Sequence, residues 1–367
     1  MASREPGHYW WTTAEKSVLA ATLGIVIVFG ICGNVLVIVA IVRFKRLRRS
    51  VNSYLILNLA IADFLTAFLL MPYHLATVLD LSIISGNGML CKIGGILSYP
   101  FYICSTVTLV MLAIERHIAV SDPLRYLSRV TIRTILIMIC FAWSQAIFFS
   151  LLFLILGNIK FSVVSLDCGV AWEGTPLWLS VVAVIMNIAL PFILLLIMSL
   201  RVMVIARRHK MRIATQTSCV TRKQRKKSVF SGMEVKATVT ILVVIFVFLI
   251  LWIPFLITRG LLVFNRTEIQ PIVTTSFVWL LHLNSVVNVV IYSLRRSDYR
   301  RAFVAVLHCR SLSRSNDWQH SMTVRTHNQS VTVRNSDAES VSDLNSPKTL
   351  AFTTPNVAGK NINDVGV

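Results

Sequence analysis

Polar side chains inside apolar runs are the first residues of this chain that could do chemistry. Asp63 sits in Leu-Asn-Leu-Ala-Ile-Ala-Asp, and Asn34, Ser105, Asn284, Ser285 and Asn288 interrupt other apolar stretches. An ionised carboxylate in hydrocarbon is costly without partners, so Asp63 marks a functional site by default. Interhelical hydrogen bonding alone accounts for any one of these residues, and less well for all of them together. A second group lies at the ends of runs: Glu115-Arg116-His117, and Glu234 in Gly-Met-Glu-Val-Lys. An Arg facing a Glu on a neighbouring helix end makes a latch that breaks when one helix swings away. An interfacial Arg seeking headgroups is the plainer alternative. The loops show no metal-ligand cluster and no nucleophile with a base, so an enzyme is not expected.

These residues need elements that cross a membrane. Of 367 residues, 55% are hydrophobic and 14% charged, which nearly excludes a water-soluble globular domain. Seven apolar runs, at 17–42, 54–79, 90–117, 135–157, 176–205, 236–263 and 272–293, reach the roughly 20 residues that a membrane-spanning helix needs. The runs are too long for the strands of a membrane barrel. The fold expected is an all-α seven-helix membrane bundle over 17–293, preceded by a short outer segment 1–16. No cleavable signal peptide is apparent.

The formal charge of +20 raises nucleic-acid binding as a class, but its placement argues against it. One set of loops holds most of the 36 Lys and Arg, and the other holds only Arg4, Lys16, Lys92, Lys160, Arg259 and Arg266. Basic residues are retained on the cytoplasmic side, so the N-terminus is expected outside and the C-terminus inside, with attraction to anionic inner-leaflet lipid as a side effect. After the last run, 294–307 places Leu294, Tyr299, Phe303 and Val306 near one side and Arg295, Arg296, Arg300 and Arg301 around the other, which suits a short amphipathic helix on the membrane surface. Residues 308–367 are polar, rich in Ser and Thr, and expected to be disordered. Cys309 is a candidate for palmitoylation or a spare thiol.

With these signposts in place, residues 17–307 resemble the class A, rhodopsin-like G-protein-coupled receptors. The resemblance is carried by Gly33-Asn34, Asp63, Glu115-Arg116-His117 in the position of an Asp-Arg-Tyr motif, Trp143, Pro191, Phe248-x-x-x-Trp252-Ile-Pro254, and Asn288-Val-Val-Ile-Tyr292 in the position of Asn-Pro-x-x-Tyr. It implies a plasma-membrane receptor for a small ligand and a Cys91–Cys168 disulfide on the outer side. It also implies a sodium-ion pocket of Asp63, Ser105, Asn284, Ser285 and Asn288, whose oxygen ligands suit a hard cation. Activation is expected to run through Glu115, Arg116, Glu234, Phe248, Trp252, Pro254, Asn288 and Tyr292. Heterotrimeric G protein is expected to touch Arg116, Pro123 and Leu124. Ser336, Ser340 and Ser342 are candidate receptor-kinase sites that would recruit arrestin. Three positions depart from the family: Val289 replaces the proline of Asn-Pro-x-x-Tyr, Ser199 stands in place of a fifth-helix tyrosine, and Thr106 in place of a large aliphatic.

The outer cavity is expected to be lined by His74, Ser98, Tyr99, Tyr102, Phe255, Arg259, Trp279 and His282. Ser98, eighteen residues before Arg116, stands where amine receptors carry an ammonium-binding aspartate, and His282 stands where opsins carry the retinal lysine. Aromatic walls with neutral or basic groups suit a neutral or anionic molecule. His282-Leu-Asn-Ser-Val-Val-Asn288 is similar to the seventh helix of adenosine receptors, although Arg259 and Val170 depart from their base-binding residues. Asn265-Arg-Thr267 is a glycosylation sequon, and Val365-Gly-Val367 a minimal ending for a PDZ groove. The competing readings are a non-signalling or constitutively active receptor-like protein acting through heteromerisation and, further off, a transporter.

Overall fold

A computed structural model describes residues 11–80, 88–122, 125–162, 166–171, 174–216, 238–258 and 270–308, with the backbone alone at 127 and over 209–216. Among the described residues, seven helices are long and apolar enough to cross a membrane: Thr13–Arg43, Asn52–Leu79, Gly88–Ser121, Ile132–Leu156, Leu177–Arg208, Thr238–Thr258 and Pro271–Arg295. The first starts at a capping box, in which Thr12 Oγ1 accepts from the Glu15 N–H at 3.2 Å and the Thr12 N–H donates to the Glu15 carboxylate at 2.8 Å. The third helix is the axis. Buried residues make up 67% of its apolar window against 22% for the fifth, whose outer side chains suit lipid.

Prolines mark local changes of helix type. A π-turn, Thr66–Leu70, lies just before Pro72 in the second helix, and another, Ile185–Ala189, just before Pro191 in the fifth. Each relieves the missing proline N–H by widening the turn ahead of it. The seventh helix has no such break, and Val289 continues it as regular α-helix. Gly33 of the first helix makes room there, since a Cβ at Gly33 would stand 3.1 Å from the Val289 methyls.

Between the fourth and fifth helices, β1 (Asn158–Ser162) pairs antiparallel with β2 (Asp167–Ala171) in the register Asn158↔Ala171 to Ser162↔Asp167. The hairpin is tied to the third helix by the Cys91–Cys168 disulfide, with Cα atoms 5.4 Å apart. Gly95 allows that approach, since a Cβ there would meet Ile159 Cγ2 at 2.8 Å and the Cys168 carbonyl oxygen at 3.1 Å; beside it, a Cβ at Gly94 would fall within the Tyr73 ring of the second helix.

The terminal helix is Ser297–Leu307, so Leu294 belongs to the seventh helix and is 72% exposed, not part of the surface helix's packed side. Tyr299, Ala302, Phe303 and Ala305 make that side. Burial pushes the Tyr299 phenol above its usual range.

Candidate functional site

The second, third and seventh helices place four polar side chains together at the centre of the bundle. Ser105 Oγ and Ser285 Oγ donate to Asp63 Oδ1, each at 3.3 Å, and Asn288 Nδ2 donates to Asp63 Oδ2 at 2.8 Å. All four residues are buried. Asn34 ties the first helix in, donating to the Ser285 carbonyl oxygen at 2.9 Å. Asn284 is buried too, but no hydrogen bond joins it to Asp63 among the described residues. The two serine bonds are longer than a compact O–H···O bond of about 2.7 Å, so the hydroxyls can turn their lone pairs toward a cation. One carboxylate with hydroxyl and amide oxygens is the kind of donor set that suits a hard cation. Among the described residues there is no group of three or more His, Cys, Asp or Glu to hold a metal ion.

A layer below, Trp143 Nε1 donates to Asn58 Oδ1 at 2.9 Å and Asn58 Nδ2 to Thr108 Oγ1 at 2.8 Å, so Asn58 joins the second, third and fourth helices. Sequence reasoning missed Asn58 although it stands in the same run as Asp63.

Toward the hairpin, Tyr102 OH and His282 Nδ1 are 2.9 Å apart, and His282 Nε2 and His74 Nδ1 are also 2.9 Å apart. The Tyr102 ring meets Trp252 edge-on at 5.9 Å. Trp252 in turn packs on Phe248 at 5.3 Å, on Phe192 at 5.9 Å and on Phe255 at 6.2 Å. Phe192 completes this aromatic column and was not singled out, although it follows Pro191. Thr77 Oγ1 donates to the Leu166 carbonyl oxygen at 2.7 Å, which brings the start of β2 onto the second helix. Asp167 next to it lies within electrostatic reach of Tyr73, His74 and Tyr102. This carboxylate was absent from the expected lining, and its only signal was its place before Cys168.

Other expected lining residues have partners within or beside their own helices. Ser98 Oγ donates to its own helix at the Gly94 carbonyl oxygen, Tyr99 packs on Phe153 at 4.8 Å, and Trp279 of the seventh helix packs with Trp11, Leu19, Val78 of the second helix and Leu166 just before β2.

At the opposite end Arg116, 5% exposed, forms an ion pair with Glu115, which also accepts from Tyr126 OH. The Tyr292 and Tyr299 rings pack at a tilt with centroids 5.7 Å apart, and the Arg296 guanidinium is 5.0 Å from the Tyr299 ring centre. Pro123, Leu124, Glu234, Arg259, Asn265, Cys309 and the tail serines lie outside the described residues.

A central buried acid, an aromatic column and an arginine at the far end place the chain among helical membrane proteins with a polar, buried bundle interior. Residues 33–292 match the family described as 7 transmembrane receptor (rhodopsin family). Similar proteins include trace amine-associated receptor 1 of Mus musculus, 30% identical over 81% of this chain and 90% of that protein. Trace amine-associated receptor 4 of Rattus norvegicus is 29% identical over 75% and 81%, and the D(1) dopamine receptor of Carassius auratus 26% identical over 82% and 91%. The chain belongs to the rhodopsin family of G-protein-coupled receptors. It is a multi-pass plasma-membrane protein and not an enzyme, and the family carries G-protein coupling and small-molecule ligands with it.

Proposed function

We propose that this receptor converts binding of a small extracellular molecule, neutral or anionic, into heterotrimeric G-protein activation, with its N-terminus outside and its C-terminus in the cytoplasm. The observation that carries the reading is the continuous path from the His74–His282–Tyr102 hydrogen bonds through Tyr102 to Trp252 and Phe248. A ligand that reorders the outer end alters how Trp252 packs, and Pro254 two residues on provides the pivot of the sixth helix. The coupling needed is about 1–3 kcal/mol between states. In this scheme Arg116 parts from Glu234 and engages G protein beside Pro123 and Leu124, and Asn288 and Tyr292 follow. A sodium ion at Asp63, Ser105, Asn284, Ser285 and Asn288 favours the inactive state. Arg259 completes the ligand lining, kinases and arrestin act on the tail serines, and Cys309 and Asn265 carry the lipid and the glycan.

A second reading rests on Asp167. Relatives named for trace amines and dopamine, together with this carboxylate near His74 and Tyr102, support an ammonium ligand held from the hairpin despite Ser98. The test is G-protein dissociation in cells expressing the chain or Arg116→Ala, challenged with neutral and acidic metabolites, adenosine, phenethylamine and dopamine. A response to acids that survives Asp167→Asn supports the first reading. A response to amines abolished by Asp167→Asn moves the ligand to the second. Silence, even with the latch broken by Glu234→Ala, moves the function to a non-signalling partner receptor.

A further inference from the structure

Toward the hairpin, three side chains form a hydrogen-bonded chain whose last atom has no partner. Tyr102 OH lies 2.9 Å from His282 Nδ1, and His282 Nε2 lies 2.9 Å from His74 Nδ1. His282 is fully buried and His74 is 5% exposed. His74 Nε2, at the end of the chain, is buried without a hydrogen-bond partner among the described residues. Buried polar atoms are rarely left this way, so the atom awaits a partner from outside the fold.

Counting protons gives the polarity of the chain. Burial disfavours an imidazolium, so each ring carries one N–H, and each bond needs one donor. Two arrangements make both bonds. In the first, Tyr102 donates to His282 Nδ1, His282 Nε2–H donates to His74 Nδ1, and the N–H left over stands at His74 Nε2. In the second every donor is reversed, His74 Nε2 is a bare acceptor, and the hydroxyl proton of Tyr102 is left over. A phenol is a more acidic donor than an imidazole N–H, and an imidazole nitrogen is a better acceptor than a phenol oxygen. The first arrangement is therefore favoured, and the chain ends on a donor. Asp167 of β2 lies within electrostatic reach of His74 and Tyr102. A fixed carboxylate repels a second anion, so the acceptor that meets His74 carries no full charge.

We propose that His74 Nε2–H selects a neutral, carbonyl-bearing ligand, and that Tyr102 sets this polarity through His282. The inference rests on the reading above, that a small molecule reaches this end of the bundle, and narrows its neutral or anionic ligand to a neutral one. An acceptor on His74 strengthens both bonds behind it in the same sense. The Tyr102 hydroxyl is then held more firmly where its ring meets Trp252 edge-on at 5.9 Å. An ammonium group brings donors alone and would have to reverse both bonds.

The tautomers are read first, by solid-state nuclear magnetic resonance of the full chain in nanodiscs with isotopically labelled histidine nitrogens. The nitrogen–nitrogen contact across the 2.9 Å bridge assigns the pair without a substitution. Both rings carry Nε2–H and a bare Nδ1. Nδ1–H on either ring, or an imidazolium, overturns the polarity. Tyr102→Phe leaves one bond that either direction satisfies, so the two tautomers of His74 mix, which loss of packing alone would not produce. An unchanged His74 tautomer in that variant overturns the role of Tyr102. Benzamide, benzoate and benzylamine, alike in size, are then titrated, with affinity read from the ligand-dependent unfolding midpoint. Benzamide binds about tenfold more tightly than either ion and shifts the His74 Nε2 signal, and His74→Phe removes the margin. Either ion bound as tightly as benzamide, or a His74 signal that benzamide does not move, overturns the ligand class. No step uses G protein, so a failure of coupling and a failure of this site are seen separately.

Discussion

The carboxylate of Asp63 accepts hydrogen bonds from two helices besides its own, so its charge is spread over Ser105, Ser285 and Asn288. An ion there would bind the folded state alone and raise stability by mass action. Sodium chloride should therefore raise the unfolding midpoint of the purified receptor above its value in choline chloride, and Asp63→Asn should abolish the difference. A variant that still tells sodium from choline would remove the ion from this site. Asn58 supports a second residue-scale expectation: Trp143→Phe leaves Asn58 Oδ1 without its donor, at a cost of about 1 kcal/mol for an interhelical bond in lipid. A thermal shift no larger than that of a surface exchange such as Phe141→Leu would mean that water or another donor replaces the indole. Much of the central site was legible because a polar residue in an apolar run has few bland explanations. Which of the other expected lining residues share a face with His74 and Tyr102 was not legible, because one residue turns a helix face by 100° and seven runs without partners do not say which face meets which.

At the scale of the element, the seventh helix differs from the family pattern through one residue. In regular helix the Val289 N–H bonds the carbonyl four residues back, that of Ser285, which Asn34 Nδ2 already reaches at 2.9 Å. Val289→Pro would remove one donor and leave the other in place. The expected loss is below the roughly 3 kcal/mol of proline in a soluble helix, with a bend that raises ligand-independent G-protein turnover. Full loss with unchanged turnover would show that Asn34 does not compensate. The hairpin gives a sharper contrast. Gly95→Ala should cost about 1–3 kcal/mol by overpacking against Ile159 and Cys168, whereas Gly24→Ala, with nothing within 4 Å, should be neutral or stabilising in thermal unfolding. Both changes costing the same would make helix propensity, not the hairpin seat, the cause. The spans were readable to within a few residues where they are described, since length and hydropathy fix them. The strands were not. Asn158–Ser162 and Asp167–Ala171 are five residues each, and their ladder forms on a seat at Gly95 and a tie to Cys91 that lie far off in the sequence.

Across the whole molecule, apolar side chains are divided between core and lipid. Ile155, Phe246 and Ile137 are more than 60% exposed on the outer helices, while the third helix meets its neighbours on most sides. Hydropathy alone reports the sum of these two populations, which is why the bundle was legible and its axis was not. The hairpin end joins the two scales. Among the described residues the hairpin is tied to the third helix by Cys91–Cys168 and to the second by the Thr77–Leu166 hydrogen bond, so it does not swing open from a single hinge. Passage beneath it in either direction waits on the weaker tie, a bond with a net worth of about 1 kcal/mol. Under the proposed function, Thr77→Val should therefore shorten how long a response outlasts its stimulus in a ligand washout, with no change in which ligand is chosen.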